Sequence, residues 1–408
     1  MNLMSFIPRP AAKASLAAVL AVALLGVGCG GGVGTGGTGS PLSTYAQGPV
    51  QGFGSVIVNG LRFDDATASV EDGEGAPRNR DTLRLGMTVE VEAGPVSTGA
   101  DGPSAIARRI RVDSELQGLV GSVDASGGSF TLLGQRVLVE NTTVFDEALE
   151  DGPAGLRPGQ AVEVHAQFDP AAGRYRATRV EVLTPARLAL SGLRLRGPVA
   201  EVDRAARRLR IGEVWYGYDG ATGVPADLTA SQTVRLRLAL ADLGGLGAGA
   251  PLRWEVRAFQ PALRALGDAA VLRLRGLVTA VGAGGALSVE GRPVDSGAAV
   301  LSGGPLAVGL RVEVQGRIVG GVLQADRIEV RTDAQEQAQG FELRGPVTAF
   351  SPALGLLVLR GQTVGTARVD LVFEGGTRAD LVPGRRIEVR GMLSADRRRV
   401  DATRIRFE

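Results

Sequence analysis

The sequence predicts an all-β protein made of about five small modules in tandem. An apolar–acid–apolar triplet, usually Val-Glu-Val and just after a glycine, recurs every 72 to 78 residues, starting at positions 89, 162, 234, 312 and 387, and the copy at 234 is degenerate, Val-Arg-Leu. Charged and β-branched residues alternate around each copy, which is typical of half-buried strands. Glycine supplies 60 of the 408 residues and aromatic residues only 4%, as expected for short strands joined by tight turns. A step this steady indicates repeats of one structural unit.

Each repeat contains signals for five strands in the same order. A Gly-x-Val opening starts a first apolar run, and a second run follows, as in residues 129–133. A third run often begins after a glycine turn, the triplet supplies the fourth strand, and an alternating segment such as residues 405–407 closes the repeat. The predicted modules span residues 49–113, 116–184, 190–259, 271–331 and 340–408, and the third is the most divergent.

Five strands in so short a module, with a longer link between the third and the fourth, indicate a small, partly open barrel of the OB type. An immunoglobulin-like sandwich needs about seven strands in about 100 residues and fits less well. The expected fold class is therefore a tandem array of about five OB-like, five-stranded β-barrels behind a lipoprotein signal peptide. Because each module is small, we expect packing between neighbours to support its marginal core.

The signs of two charged positions predict which strands pair. In four modules the fourth strand carries an outward Glu and the fifth an outward Arg, whereas module 3 has the reverse. A paired exchange of sign indicates positions that face each other across an antiparallel hairpin, although a single exchange can also arise by chance. Such surface pairs would be structural and contribute about 0.2–1 kcal/mol each. The expected pairs are Glu90–Arg109, Glu163–Arg179, Arg235–Glu255, Glu313–Arg327 and Glu388–Arg404.

Residues 1–28 have the pattern of a secretory signal peptide. Arg9 and Lys13 supply its positive charge, and the apolar stretch 14–28 is too short to span a bilayer comfortably as a helix. It ends in Leu-Leu-Gly-Val-Gly before a cysteine. This ending resembles the lipobox of bacterial lipoproteins, although glycine stands where leucine is usual. The resemblance implies export and lipid attachment.

Cys29 is the only cysteine, so it cannot form an intrachain disulfide. We expect it to carry the lipid, and a plain signal peptide that leaves a free thiol is the alternative. Residues 29–48 are rich in Gly, Ser, Thr and Pro after the cysteine and predict a flexible tether. Gly30, rather than Asp, follows the cysteine, which by the resemblance favours the outer membrane. The expected location is the cell envelope, on an outer-membrane lipoprotein facing the periplasm or the cell surface.

Charge excludes one class of partner. The chain has 45 basic and 43 acidic side chains, and the numbers become equal when Arg9 and Lys13 are removed with the leader. A nucleic-acid-binding protein is expected to carry a basic excess, so we expect no nucleic-acid partner.

The repeat motifs across residues 49–408 resemble the bacterial family known as domain of unknown function 5666. The likeness rests on the Gly-x-Val openings, the Leu-x-x-Gly-x-x-Val-Glu-Val type triplets and the Ala-x-Arg-Ile/Val closings, which recur in order. Module 3 departs most from this pattern. The resemblance implies tandem small β modules in an exported lipoprotein, and it implies no reaction.

The search for catalytic motifs predicts no catalytic residue, no metal site and no cofactor. His165 is the only histidine, and alternation places it on the outward side of its strand, where we expect a solvated side chain. No Gly-x-Ser-x-Gly motif, P-loop or zinc-ligand cluster occurs. Acidic residues in the links, such as Glu147, Glu150 and Asp151, are expected to be solvated. A carboxylate-based hydrolase is the remaining enzymatic alternative.

Trp215, Tyr216 and Tyr218 form the best candidate for a ligand-binding surface. Aromatic side chains exposed on an OB strand can stack on bases or sugars. Alternation places Tyr216 and Tyr218 on one face and Trp215 on the other, and the alternative is that the rings fill the core with Trp254.

Three function classes follow from these observations. We expect a non-enzymatic envelope lipoprotein that binds a partner protein or spaces components, with the membrane as its second partner. Binding of a glycan or another small ligand is the first alternative, and a hydrolase is the remote one.

Overall fold

The computed structural model describes residues 43–124, 128–240, 254–338 and 340–408. The expected signal peptide and Cys29 lie outside the described residues. All described residues belong to one compact unit, within which five β-barrels follow one another along the chain. The predicted all-β class with repeated OB-like barrels is confirmed. None of the helices in the described ranges has the length and apolarity needed to cross a membrane.

Module 1 begins earlier than the sequence suggests. Residues 44–48, expected at the end of a flexible tether, belong to the first strand, in which Tyr45 and Ala46 are buried. The barrel also contains a short 3-10 helix at Arg80–Thr82. Its strands are β1 (Thr44–Pro49), β2 (Gly52–Phe53), β3 (Val56–Val58), β4 (Leu61–Asp64), β5 (Ser69–Asp72), β6 (Thr88–Ala93), β7 (Ser97–Gly99) and β8 (Gly102–Val112).

Module 2 shows the barrel in its simplest form. Its strands are β9 (Leu116–Asp124), β10 (Ser129–Leu132), β11 (Gln135–Phe145), β12 (Ala161–Asp169) and β13 (Arg174–Val182). The link between the third and fourth strands contains the expected helical turn, Gly152–Gly155. Pairing runs β10–β11–β13–β12–β9 and closes through β9–β10, with β11 and β13 parallel. This strand order, 1-2-3-5-4-1 in sequence terms, is a closed OB-like barrel.

Module 3 follows the short helix α1 (Pro185–Ser191), which Thr184 caps through its side chain. Its strands are β14 (Leu193–Pro198), β15 (Glu201–Asp203), β16 (Arg208–Ile211), β17 (Val214–Gly217), β18 (Thr233–Leu240) and β19 (Trp254–Gln260). β17 and β19 pair in parallel, as the third and fifth strands do in module 2.

Modules 4 and 5 repeat the arrangement and are joined by the short helix α2 (Asp333–Ala338). Module 4 contains β20 (Ala269–Val281), β21 (Ala286–Val289), β22 (Arg292–Asp295), β23 (Val300–Ser302), β24 (Arg311–Val319) and β25 (Val322–Arg331). Module 5 contains β26 (Phe341–Ser351), β27 (Leu356–Leu359), β28 (Gln362–Gly365), β29 (Val372–Glu374), β30 (Arg386–Leu393) and β31 (Val400–Phe407).

The glycine of each repeated triplet turns the chain into the fourth strand. In four modules it has a left-handed backbone, with φ between 79° and 88°, which glycine adopts without the penalty of a Cβ atom. These residues are Gly86, Gly159, Gly309 and Gly384.

The barrels share cores and edges with modules that are distant in sequence. One apolar cluster joins modules 1 and 5, and another joins modules 2 and 3. Tyr45 of module 1 completes the core of module 4. β1 pairs in parallel with β20, and β2 pairs in parallel with β26. Module 1 therefore lies between modules 4 and 5, and the barrels form a cluster.

Candidate functional site

The aromatic segment of module 3 lies largely in the core. Tyr216 and Tyr218 are only 0% and 6% exposed, whereas Trp215 lies half-buried on the opposite side of β17. The Tyr216 hydroxyl donates to the Leu133 carbonyl at 2.8 Å and accepts from Gln135 Nε2 at 2.7 Å. A ligand-binding role therefore does not hold for either tyrosine, because their rings fill the core that modules 2 and 3 share.

Trp215 is the member of that segment that reaches the surface. The guanidinium carbon of Arg208 lies 4.5 Å from the centre of its ring, and that of Arg210 lies 5.8 Å away. These contacts are cation–π interactions, so the ring of Trp215 already packs against two arginines.

The predicted charged pairs are corrected in register. In each module the fourth and fifth strands do form an antiparallel hairpin, but Glu90 lies opposite Arg111 and Glu388 opposite Arg406. Each hairpin contains one bulge, which shifts the facing residues by one, but the expected partners are displaced by two residues in four modules and by five in module 3. The alternation shows which face a residue is on, and it does not fix how far one strand is displaced along the other. In the remaining modules Glu163 faces Glu181, Glu313 faces Glu329 and Arg235 faces Gln260. None of the five predicted pairs is therefore formed, and the residues expected to face the fourth strand lie at other positions of the register: Arg109, Arg179, Glu255, Arg327 and Arg404.

The reversed sign in module 3 has a tertiary cause. Arg235 forms an ion pair with Asp113, which lies in the link between modules 1 and 2. Glu255 instead pairs with Arg257 of its own strand at 3.3 Å. Arg235 therefore forms its ion pair with an acid outside its own module and not with an acid across its hairpin.

His165 is buried, contrary to the expectation of a solvated side chain. Its Nδ1 lies 3.0 Å from the Thr88 hydroxyl oxygen and 3.0 Å from the Asp113 carbonyl oxygen. Module 1 covers this face of β12, which alternation within module 2 cannot reveal. Burial lowers the pKa of His165 below its ordinary value, which favours a neutral ring.

A buried charged cluster joins modules 1, 2, 3 and 4. Glu115, in the link after module 1, accepts from Arg196 Nη1 at 3.1 Å and from the Ala166 backbone N–H at 2.8 Å. Arg292 of module 4 donates to Glu90 and, at 2.8 Å, to Gln47 Oε1. Charges buried at a junction need such partners, so this cluster fixes how the four barrels meet.

The cavity inside this cluster is small. Its accessible volume is about 20 Å³, which is room for about one water molecule. Burial raises the pKa of Glu115 to about 8 and that of Glu290, on the cavity wall, to about 7. Two carboxyl groups with raised pKa values could exchange protons, but the space between them cannot admit a substrate larger than water.

The acidic residues of the links serve local structure. The Asp72 carboxylate accepts the backbone N–H groups of Glu74 and Ala76, both at 2.9 Å. Glu147 accepts the backbone N–H and the hydroxyl of Thr363 in module 5. Within the described ranges, no group of three or more His, Cys, Asp and Glu side chains is arranged to hold a metal ion.

Larger open spaces lie within module 4, where one has an accessible volume of about 550 Å³, and in a groove at the junction of modules 2, 3 and 4. One part, with an accessible volume of about 350 Å³, lies between β9, β10, β11 and the β16–β17 turn. A second part, of about 420 Å³, lies where modules 2 and 3 meet module 4. Gly173 and Glu213 line both parts, so the two spaces adjoin at these residues. We call this space the junction groove, and its size suits a ligand rather than water.

Comparison with known proteins supports the family resemblance. Residues 117–181, 275–329 and 344–406 match the model of the family described as domain of unknown function (DUF5666). Three separate regions, which together make up less than half of the chain, are therefore similar to this family. They coincide with modules 2, 4 and 5, while modules 1 and 3 lie outside the matches.

No curated protein matches the chain. Among solved structures, a chain described as "drosophila Unr CSD456" is similar, with 15% sequence identity and a TM-score of 0.15. The alignment covers 54% of the present chain and 99% of the Drosophila chain.

The sequence missed the residues that define these junctions. Glu115 and Asp113 lie in the link between modules 1 and 2, and each owes its role to contact with another module. Arg196 is at a repeated position, the arginine of a Leu-Arg-Gly-x-Val opening that recurs in modules 4 and 5. The junction groove likewise joins the DUF5666 region of module 2 to the unmatched module 3. The divergence of module 3 drew attention to its aromatic residues, whereas the arginine that recurs before the opening glycine was a signal for the buried charges.

Proposed function

We propose that this chain is a non-enzymatic cell-envelope lipoprotein that binds a partner protein on a rigid cluster of β-barrels. The observation that carries the proposal is the junction between modules. Buried ion pairs and strand pairings hold the barrels against one another, and the junction groove stays open beside them.

Three alternative functions are less well supported by the structure. An extended spacer would place each barrel against its sequence neighbours, whereas module 1 pairs with modules 4 and 5. Glycan stacking on Tyr216 and Tyr218 would require exposed rings. A hydrolase would need a substrate-sized space beside Glu115 and Glu290.

Co-purification measures whether the chain binds a partner protein, with the full chain expressed with its own leader and a C-terminal tag. We expect one envelope protein to co-purify at a constant ratio after mild detergent extraction. A sample that retains no protein above an untagged control contradicts the proposal.

The anchor is tested separately through Cys29. The Cys29→Ser variant should lose the lipid mass and leave the membrane fraction, because Cys29 is the only cysteine available. A variant that remains in the membrane fraction would argue against lipidation at this residue.

A further inference from the structure

Two turns of module 4, which we call the apolar tip, carry no charged side chain. They connect β20 to β21, over residues 281–286, and β24 to β25, over residues 319–322. Counted with the strand residue at each end, every residue in both turns is Gly, Ala or Val. In each other module at least one of the two equivalent turns is charged, through Asp101, Asp169, Arg204 and Asp396 among others.

The apolar tip exposes aliphatic side chains. Val281, Val319 and Val322 are 48%, 46% and 46% exposed, and Val319 lies opposite Val322 across the β24–β25 hairpin. Val281 and Val322 line the same open space, the one of about 550 Å³. Among the described residues that line it only Asp295 is charged, and its carboxylate accepts the Gly297 N–H at 3.0 Å. The two turns therefore border one largely apolar space.

The described chain begins beside this tip. The Ser43 hydroxyl donates to the Asp268 carbonyl at 2.9 Å, and the Asp268 carboxylate accepts the Gly320 N–H of the β24–β25 turn at 2.6 Å. β1 then runs parallel to β20, and its first residue lies opposite Val271, near the start of β20. The chain therefore reaches Ser43 at the end of the barrel that carries the β24–β25 turn.

The chain between this point and the expected lipid is short. Thirteen residues, 30–42, separate Cys29 from Ser43. Even when fully extended they span at most about 45 Å. An anchor at Cys29 therefore keeps this end of module 4 close to the bilayer. Because tethering makes the second contact intramolecular, a weak affinity of the tip for lipid is sufficient to hold it there.

We infer that the apolar tip of module 4 docks on the lipid bilayer in which Cys29 is anchored. Val281, Val319 and Val322 enter the boundary between headgroups and acyl chains, where burial of apolar surface is favourable. The turns bring no charged side chain to that depth, where a charge would oppose docking. This inference rests on the proposed lipid anchor and adds the face of the protein that lies on the bilayer.

A partner protein fits the tip less well. The centres of protein interfaces are enriched in aromatic side chains and arginine, and the tip has neither. Its Gly, Ala and Val residues also offer no side-chain hydrogen bonds, whereas a bilayer requires no specific pairing. Three half-exposed valines bury too little surface to hold the chain without its lipid, which agrees with the expected release of Cys29→Ser from the membrane fraction.

Quenching of a fluorescent label on the lipidated full chain measures this docking. Val281→Cys and Val322→Cys are each labelled with NBD, because acylation of Cys29 leaves the introduced thiol as the only free one. The protein is reconstituted in vesicles of phosphatidylethanolamine and phosphatidylglycerol, with or without nitroxide-labelled phosphatidylcholine. Leu354→Cys is the matched control, since Leu354 is exposed in the β26–β27 turn of module 5, the equivalent of the β20–β21 turn.

We expect the nitroxide lipid to quench the label at Val281 and at Val322 about twofold more than the label at Leu354, because only the first two lie at the acyl boundary. Adding Val319→Asp to the Val322→Cys chain should reduce the quenching to about the level at Leu354, because the carboxylate would have to leave water. The substituted side chains are exposed or half exposed, and urea unfolding of each variant verifies that the fold is intact.

Equal quenching at Val322 and Leu354 would overturn the inference and leave the anchor standing, since lipid mass and vesicle binding are measured on the same sample. A chain that carries no lipid mass removes the anchor, and the inference fails with it. Shielding of the Val322 label from iodide before vesicles are added would assign the tip to another segment of the chain or to a second copy. Shielding that requires the co-purified partner would assign the tip to that protein, and either result contradicts docking on lipid.

Discussion

Replacing Tyr216 by phenylalanine should weaken the junction between modules 2 and 3. The change removes one hydroxyl, which donates to the Leu133 carbonyl and accepts from Gln135 Nε2 in a fully buried setting. Each buried hydrogen bond contributes about 0.5–1.5 kcal/mol, and the unpaired Leu133 carbonyl adds a desolvation cost. We therefore expect a loss of about 2–3 kcal/mol in the free energy of unfolding.

Tyr218→Phe is the matched control. Tyr218 lies in the same core, packed edge-on against Phe259 with ring centres 6.1 Å apart, but its hydroxyl bonds to no described residue. Its replacement should change the free energy of unfolding by less than about 0.5 kcal/mol. The two variants thus differ in hydrogen bonding and share the loss of one oxygen atom.

Urea unfolding monitored by tryptophan fluorescence is the suitable assay, because both tryptophans belong to module 3. A multi-module protein need not unfold in one step, so the midpoint of the transition that tryptophan reports is the quantity to compare. Equal midpoints for Tyr216→Phe and Tyr218→Phe would refute the argument that Tyr216 joins the two modules.

Three further predictions concern the repeated triplets and the buried acids. Gly86→Ala should destabilise the protein more than Gly384→Ala. Both glycines have positive φ, but a Cβ atom at Gly86 would also lie 2.5 Å from the Thr178 carbonyl oxygen. Equal decreases in melting temperature for the two variants would contradict this. Glu388→Gln should lower the free energy of unfolding several-fold more than Glu92→Gln, because Glu388 is buried among three arginines and Glu92 binds one exposed arginine. Chemical denaturation of the two variants measures this difference. The folded-state pKa of Glu115 exceeds its unfolded value, so its contribution to stability is full below about pH 4.5 and falls as the pH rises to about 8. Glu115→Gln should flatten that part of the stability profile, and an unchanged slope would argue against a raised pKa.

Local features of the barrels could be predicted from particular residues. Gly86 and its equivalents needed a left-handed turn, which only glycine adopts at no cost, and they have it. Tyr216 and Tyr218 alternate with Trp215 across β17, as period two requires. The hairpins also formed between the expected strands, whereas their register could not be predicted, because alternation leaves the displacement of one strand along the other undetermined by steps of two residues.

The tertiary structure decided everything that depends on contact between modules. His165 is outward within its own barrel and buried only because module 1 covers it. Arg235 breaks the repeated pattern because Asp113 of a distant link lies against it. The sequence alone determined the number, size and strand order of the barrels, since periodicity and turn chemistry act over a few residues. The arrangement of the barrels, the buried charged cluster and the junction groove arise from pairings between segments far apart in the chain, and no local pattern encodes those distances.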